Sequence, residues 1–204
     1  MSKTKALDLF CGAGGAAKGL ERAGFTHIIG VDNTPQPNYP YRFYLGNAIK
    51  VLNRTNQISI PINRIDLIWA SPPCQAYTPL SNKHRGNDTV ADDRPHLVTI
   101  TRQLLDKTGV PYIIENVPGA PLKDPVSLHG NQFGLGVHRP RLFESNIPLA
   151  EPLYAPRHPD PVPVYGKLDG RLLWRRKDGS ELRQAIPPAY AEYLGRQVID
   201  YLGR

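Results

Sequence analysis

The sequence predicts an α/β fold built on a doubly wound, mostly parallel sheet. Three observations predict it. Short apolar or β-branched runs alternate with stretches of helical spacing along the first part of the chain. A glycine-rich loop, Gly12 to Gly15, joins the first run to the first helical stretch. Finally, the marked polar clusters fall where apolar runs end: Phe10 to Gly15, Asp32, Ser71 to Gln75, and Glu115 to Val117. Parallel sheets carry their ligands at that edge, outside the carboxyl ends of the strands.

Each element has its own warrant. "KALDLF" is a short apolar strand, and "GAAKGLERAG" has helical spacing with Gly24 as its stop. "HIIGVD" is a second strand ending in Asp32. "YRFYLGNAIKVL" reads as a short strand entering a helix near Asn47, and "IDLIWAS" as a buried strand. "RPHLVTITRQLLDKTG" is a helix with Pro95 near its start and Gly109 past its end, followed by the strand "PYIIENV". After Gly119 the texture turns rich in Pro, Gly and His. Positions 148–179 are proline-rich, loop-like and basic, with Arg171, Arg175, Arg176 and Lys177 close together. "QAIPPAYAEYLGRQVIDYLGR" is a final helix starting near Pro188.

The 204 residues suffice for one domain with a real core, or one domain and a small appendage. A hydrophobic content of 40% with 21% charged residues describes a soluble globular chain. The formal charge of +7 suits a polyanionic partner. Only Cys11 and Cys74 are cysteines, so no disulfide framework is expected and a reducing compartment fits. No Cys/His cluster has ligand spacing, so no metal is expected. "MSKTKALDLF" has neither the apolar length of a membrane anchor nor the form of a signal peptide.

The loop satisfies the loose dinucleotide fingerprint with Gly12, Gly14 and Ala17, and Asp32 ends the next strand. Glycines there let a ligand approach backbone at a helix N-terminus. Asp32 can accept from ribose hydroxyls of a dinucleotide or of S-adenosylmethionine, or cap a helix. The loop alone does not choose between a dehydrogenase and a methyltransferase.

The stretch "ASPPCQAYTPLSNKHRG" poses a sharper question. Cys74 follows two prolines at the end of an apolar run, with Lys83, His84 and Arg85 soon after. A lone cysteine is usually structural and buried. Pro72 and Pro73 instead stiffen the backbone and present the thiol at the sheet edge.

In order, "LDLFCGAGG", "SPPCQ", "ENV" and "RPRLF" resemble the DNA cytosine-5 methyltransferase family, over most of Ala6 to Phe143. A weaker likeness covers Arg183 to Gly195. The resemblance implies an S-adenosylmethionine-dependent, Rossmann-like methyltransferase fold. It implies methyl transfer to carbon 5 of a flipped-out cytosine in double-stranded DNA, through a covalent adduct to Cys74. Glu115 is then the carboxyl group facing cytosine N3, which favours a raised pKa in a closed site. Asn116 would fix the loop around it.

Arg139 and Arg141 match the family's two arginines. Alternation along a strand would put both on one face, with Arg141 reaching cytosine O2 and Arg139 steadying the nucleophile loop. Val137 stands where the motif has Gln. The cofactor-binding residues implied are Asp8, Phe10, Gly12, Gly14, Gly15, Asp32, Asn33, Asn47, Pro72, Gln184 and Ala185. Asn47 stands where the family often has Asp, and Arg183-Gln184 replaces the family's Gly-Asn. Cys11 packs under the cofactor without reacting. Pro73, Gln75, Ser81, Lys83, Arg85, Arg171, Arg175 and Arg176 join Asn116 as expected DNA contacts.

The implied organisation is a catalytic and cofactor-binding core over 1–143, a reduced target-recognition region over 144–182, and a helix over 183–204 returning to the core. So small a recognition region implies a short or relaxed target sequence, or a partner chain that supplies recognition. The cytoplasm of a prokaryotic cell or phage-infected host is the expected location. An RNA cytosine-5 methyltransferase shares the core chemistry, and a catalytically silent DNA-binding homologue is the remaining alternative.

Overall fold

The computed structural model describes residues 3–55, 60–73, 97–135, 138–152, 167–168, 171–172 and 185–204. Seven strands form one sheet in the order β3-β2-β1-β4-β5-β7-β6. These are β1 (Lys5–Leu9), β2 (His27–Asp32), β3 (Arg42–Leu45), β4 (Leu67–Ala70), β5 (Tyr112–Asn116), β6 (Val126–Leu128) and β7 (Arg141–Ser145). Neighbours β3, β2, β1, β4 and β5 are parallel, while β7 runs antiparallel to both β5 and β6. The expected doubly wound α/β sheet is therefore present. The sequence had not marked out β6. Residues 167–168 and 171–172 pair separately as a short antiparallel ladder, β8 with β9.

Among the described residues, four α-helices cover the sheet: α1 (Gly15–Ala23), α2 (Ala48–Leu52), α3 (Leu97–Asp106) and α4 (Pro188–Tyr201). Their positions follow from strand alternation. Ala6, Trp69, Ile113 and Phe143 point to one face, where they pack with Leu20 of α1 and Tyr190 and Leu194 of α4. Leu7, Ile68, Ala70, Tyr112 and Ile114 point to the other, with Val51 of α2 and Leu105 of α3. These strands are buried on both faces, so they read as continuous apolar runs.

Helix α1 starts after Gly14 and stops at Gly24, both in the left-handed region. It also lies unusually close to the segment leading into α4. A Cβ on Gly15 would sit 2.3 Å from the Ile186 carbonyl oxygen, and one on Gly19 would sit 2.2 Å from that of Pro188. No side chain fits at either place. Helix α4 begins with Pro188, where the missing N–H costs nothing.

The far face holds a buried charge pair. Arg102 of α3 is bonded through Nε to Glu144 of β7, and its Nη2 donates to Glu144 Oε2 and to the Pro121 carbonyl, each at 2.6 Å. The Lys123 backbone N–H donates to the same carboxylate at 2.7 Å. Both charges are buried, and the bonds to the Pro121 carbonyl and from the Lys123 N–H lock 121–123 onto the sheet.

Candidate active site

Because β1 to β5 run in one direction and β7 runs back, one sheet edge collects the ends of the first five and the start of the last. The glycine loop, Asp32, Asn47, Pro72, Glu115, Asn116 and Arg141 all lie along it. Cys74, Gln75, Ser81, Lys83, Arg85, Arg175, Arg176 and Gln184 lie outside the described residues, as does the side chain of Arg171.

At the β1 end the backbone turns sharply. Phe10 has φ +56° and Gly12 has φ +49°. A non-glycine residue in that region is uncommon, and such conformations cluster at ligand clamps. Gly12 donates its N–H to Asp32 Oδ2 at 3.0 Å, and Thr34 donates its N–H to Asp32 Oδ1 at 2.9 Å. The Asp32 carboxylate is thereby pinned at the tip of β2, and each oxygen keeps a lone pair for a further donor. A Cβ on Gly12 would meet no atom within 4 Å, so the loop presents open backbone there. Backbone donors at a helix start, open space at Gly12 and a fixed acidic acceptor fit the amino-acid and ribose parts of S-adenosylmethionine.

Asp8 lies beneath this loop and is fully buried. Tyr39 donates its hydroxyl to Asp8 Oδ2 at 3.2 Å, and the Ala17 backbone also bonds the carboxyl group. Burial holds the Asp8 pKa well above the ordinary carboxylate value. The Tyr39 bond works against that rise, and the Asp32 charge adds to it. Asp8 thus supports the loop from below. Cys11 is buried as well, and burial, with Asp8 and Asp32 nearby, pushes its thiol pKa far up. Asn47 caps α2, its Oδ1 accepting from the Lys50 N–H at 3.1 Å.

At the β5 end, Glu115 and Arg141 form a shielded ion pair, Nε to Oε1, at 2.9 Å. Burial raises the Glu115 pKa. Arg141 opposes the rise most strongly, followed by a hydrogen bond from Ser71 and by the charge of Arg139. Asn116 donates from Nδ2 to the Pro72 carbonyl at 2.9 Å and accepts the Val117 N–H at 2.9 Å. It thereby ties the Pro72-Pro73 segment to the end of β5.

Arg139 requires a correction. The strand begins at Arg141, so alternation does not place Arg139 on the same face. Pro140 breaks the ladder, and Arg139 takes φ +23°. Its guanidinium donates from Nη2 to the Ala185 carbonyl at 2.6 Å, just before α4. Irregular backbone, and not a strand, brings Arg139 to the edge.

Residues 4–126 match the sequence profile of the C-5 cytosine-specific DNA methylase family, more than half of the chain. The chain belongs to that family. It is 25% identical over 195 residues to the Type II methyltransferase M.AgeI of Thalassovita gelatinovora, covering 83% of this chain and 44% of that protein. It is also 25% identical to the Type II methyltransferase M.XorII of Xanthomonas oryzae pv. oryzae, covering 95% of this chain and 54% of that one. The chain thus spans about half the length of these curated relatives. A putative DNA modification methyltransferase encoded within an E. coli prophage has the same fold, with a TM-score of 0.53 at 20% identity over 80% of this chain and 53% of that one.

Sequence reasoning missed Tyr39 and Tyr190, and it marked Ser71 only as the start of the cluster that ends at Gln75. The isolated Gly30 inside β2 was a signal for the first. A Cβ there would lie 2.4 Å from the Tyr39 ring, so the glycine marks a close approach. No helix among the described residues is long and apolar enough to cross a membrane. Among the same residues, no group of three or more His, Cys, Asp and Glu is placed to hold a metal ion.

Proposed function

We propose that this chain transfers a methyl group from S-adenosylmethionine to carbon 5 of a flipped-out cytosine in double-stranded DNA. The observation that carries the reading is the shielded Glu115–Arg141 pair beside the Pro72-Pro73 segment, in a chain of the C-5 cytosine-specific DNA methylase family. S-adenosylmethionine supplies an electrophilic methyl group when bound. Gly12, Gly14, Gly15, Asp32 and Phe10 hold it at the β1 and β2 ends, with Asn33, Asn47, Pro72, Gln184 and Ala185 around them.

Carbon 5 of cytosine is a poor nucleophile. The Cys74 thiolate adds to carbon 6 and turns the ring into an enamine, whose carbon 5 is nucleophilic. Glu115 makes the ring a better acceptor by donating a proton toward N3, which its burial favours. Arg141, anchored on Glu115, faces O2, and Arg139 fixes the backbone beside the base. Pro73, Gln75, Ser81, Lys83, Arg85 and Asn116 line the approach of the flipped nucleotide. Arg171, Arg175 and Arg176 contact phosphates. A partner chain or second copy supplies sequence recognition where the reduced 144–182 region does not. The Type II relatives favour a restriction–modification setting.

Transfer of labelled methyl groups to duplex DNA, with tRNA as competitor, tests the reading. Label in DNA at cytosine carbon 5, lost in Cys74→Ala, is expected. Label in tRNA alone points to the RNA enzyme. Cofactor binding and DNA binding without transfer by the intact chain points to a silent homologue.

A further inference from the structure

The interior behind Glu115 holds a hydrogen-bonded chain that the reaction above does not use. In the paired strands β4 and β5, Trp69 is level with Ile113 and Ala70 with Ile114. Ser71 therefore leaves β4 beside Glu115, and alternation puts Trp69, Ser71, Ile113 and Glu115 on one face. Phe143 is level with Glu115 in β7, and its ring lies 5.8 Å from that of Trp69. Trp69 is fully buried, so its indole N–H must find a partner inside the protein. It donates to Ser71 Oγ at 3.0 Å.

We propose that Ser71 is a positioning residue for Glu115, its hydroxyl proton aimed at the carboxylate by the indole of Trp69. The proposal rests on the reading of Glu115 as the acid facing the cytosine ring. An indole N–H only donates. Once Ser71 Oγ accepts it, the single hydroxyl proton is free to go elsewhere, and the register that sets Ala70 level with Ile114 brings Ser71 beside Glu115, whose pKa a Ser71 bond lowers. The chain has one direction, Trp69 to Ser71 to Glu115, and each bond polarises the next. Arg141 Nε occupies Oε1 at 2.9 Å. With two donors fixed on the carboxyl group, the acidic proton has to take a position that neither of them fills. Ser71 thus orients the acid. It also stabilises the ionised form, which trims the rise in pKa that burial imposes.

The test needs a readout apart from turnover. The chain has two tryptophans, so Trp174→Phe leaves Trp69 as its only indole. In ¹⁵N-tryptophan-labelled Trp174→Phe protein, the Trp69 Nε1–H resonance should titrate with Glu115. Adding Glu115→Gln should abolish that titration, and so should adding Ser71→Ala. In the methyl-transfer assay, Ser71→Ala should move the alkaline limb of the pH–rate profile upward by about one unit, the scale of a lost hydrogen bond to a charged group. Ser71→Thr, which keeps the hydroxyl, should bring the limb back. An indole signal that ignores Glu115, or a limb that Ser71→Ala leaves in place, overturns the proposal. Should the intact chain transfer no methyl group, the functional reading fails, and the indole titration alone decides the Ser71 link.

Discussion

Tyr190 and Arg139 are bonded across the active-site edge: the buried Tyr190 hydroxyl donates to the Arg139 carbonyl oxygen at 2.8 Å. The Arg139 side chain returns the contact by donating to Ala185 O, next to the start of the same helix. The unusual backbone of Arg139 is therefore held from both ends by the C-terminal segment.

Tyr190→Phe removes the donor and leaves a buried carbonyl unpaired. We expect a loss of about 1–2 kcal/mol in stability. We also expect a larger fall in methyl transfer than in S-adenosylmethionine affinity, because in the proposed function Arg139 fixes the backbone beside the base and does not touch the cofactor. Urea unfolding together with calorimetric cofactor binding checks it. A variant that loses affinity and rate in equal measure would place Tyr190 with the cofactor instead.

The two thiols should differ sharply in reactivity. Burial and the neighbouring carboxylates keep Cys11 protonated at any ordinary pH. Iodoacetamide at neutral pH should label Cys74 and spare Cys11 in the folded protein, as read by peptide mass mapping. DNA carrying 5-fluorocytosine should trap the wild type and not Cys74→Ala. Labelling of Cys11 at a comparable rate would contradict the packing around it.

The acid range offers a third test. The carboxyl pKa values of Asp8 and Glu115 are both raised in the fold, chiefly by burial. The folded state therefore binds more protons than the unfolded chain between the ordinary carboxylate value, about 4, and the raised one. For these two groups, stability is full below that interval and is lost as pH rises through it. Asp8→Asn should flatten the fall of the thermal midpoint with rising pH, as should Glu115→Gln. Parallel curves for wild type and both variants would mean the two groups titrate alike folded and unfolded.

Much of this architecture was legible in the sequence. The strands "KALDLF", "HIIGVD", "IDLIWAS" and "PYIIENV" are buried on two faces, so composition alone marks them, and Gly24 and Pro188 punctuate the helices where they stand. Arg139 was misjudged because alternation was carried through Pro140, which cannot donate to a ladder. Strand β6 is too short to declare itself within a Pro- and Gly-rich stretch. Tyr39 and Tyr190 were missed for a different reason. Each acts through one hydrogen bond to a residue distant in sequence, and no local period records such a partner.

Two glycines separate packing from cofactor contact. Gly19→Ala drives a methyl group into the Pro188 carbonyl and should cost about 1–3 kcal/mol by prising α4 away. Gly12→Ala meets nothing and should cost only the left-handed backbone strain, about 1–2 kcal/mol. It should nonetheless weaken S-adenosylmethionine binding, because the added group fills the open space. Thermal melts and calorimetry on the two variants distinguish these effects. A Gly12→Ala protein with wild-type affinity would remove that position from the cofactor's path.

The buried Arg102–Glu144 pair should be costly to break from one side. Arg102→Ala leaves the Glu144 carboxylate inside the fold without its counter-charge, and about 3–5 kcal/mol of stability should go. Chemical denaturation of Arg102→Ala and of the double variant Arg102→Met/Glu144→Leu checks it. The double variant should recover most of the loss.

The bare-glycine face of α1 has a consequence for synthesis. Gly15 and Gly19 lie early in the chain, while Ile186, Pro188 and the rest of α4 leave the ribosome only after the whole sheet has been translated. Until then Leu20, Trp69 and Phe143 lack the apolar cover that Tyr190 and Leu194 provide. A nascent chain stalled before position 185 would carry an assembled sheet with one greasy side open to chaperones. Arg139 would meanwhile have neither of its C-terminal holds. The same late segment that seals the core would thus also be the one that fixes Arg139.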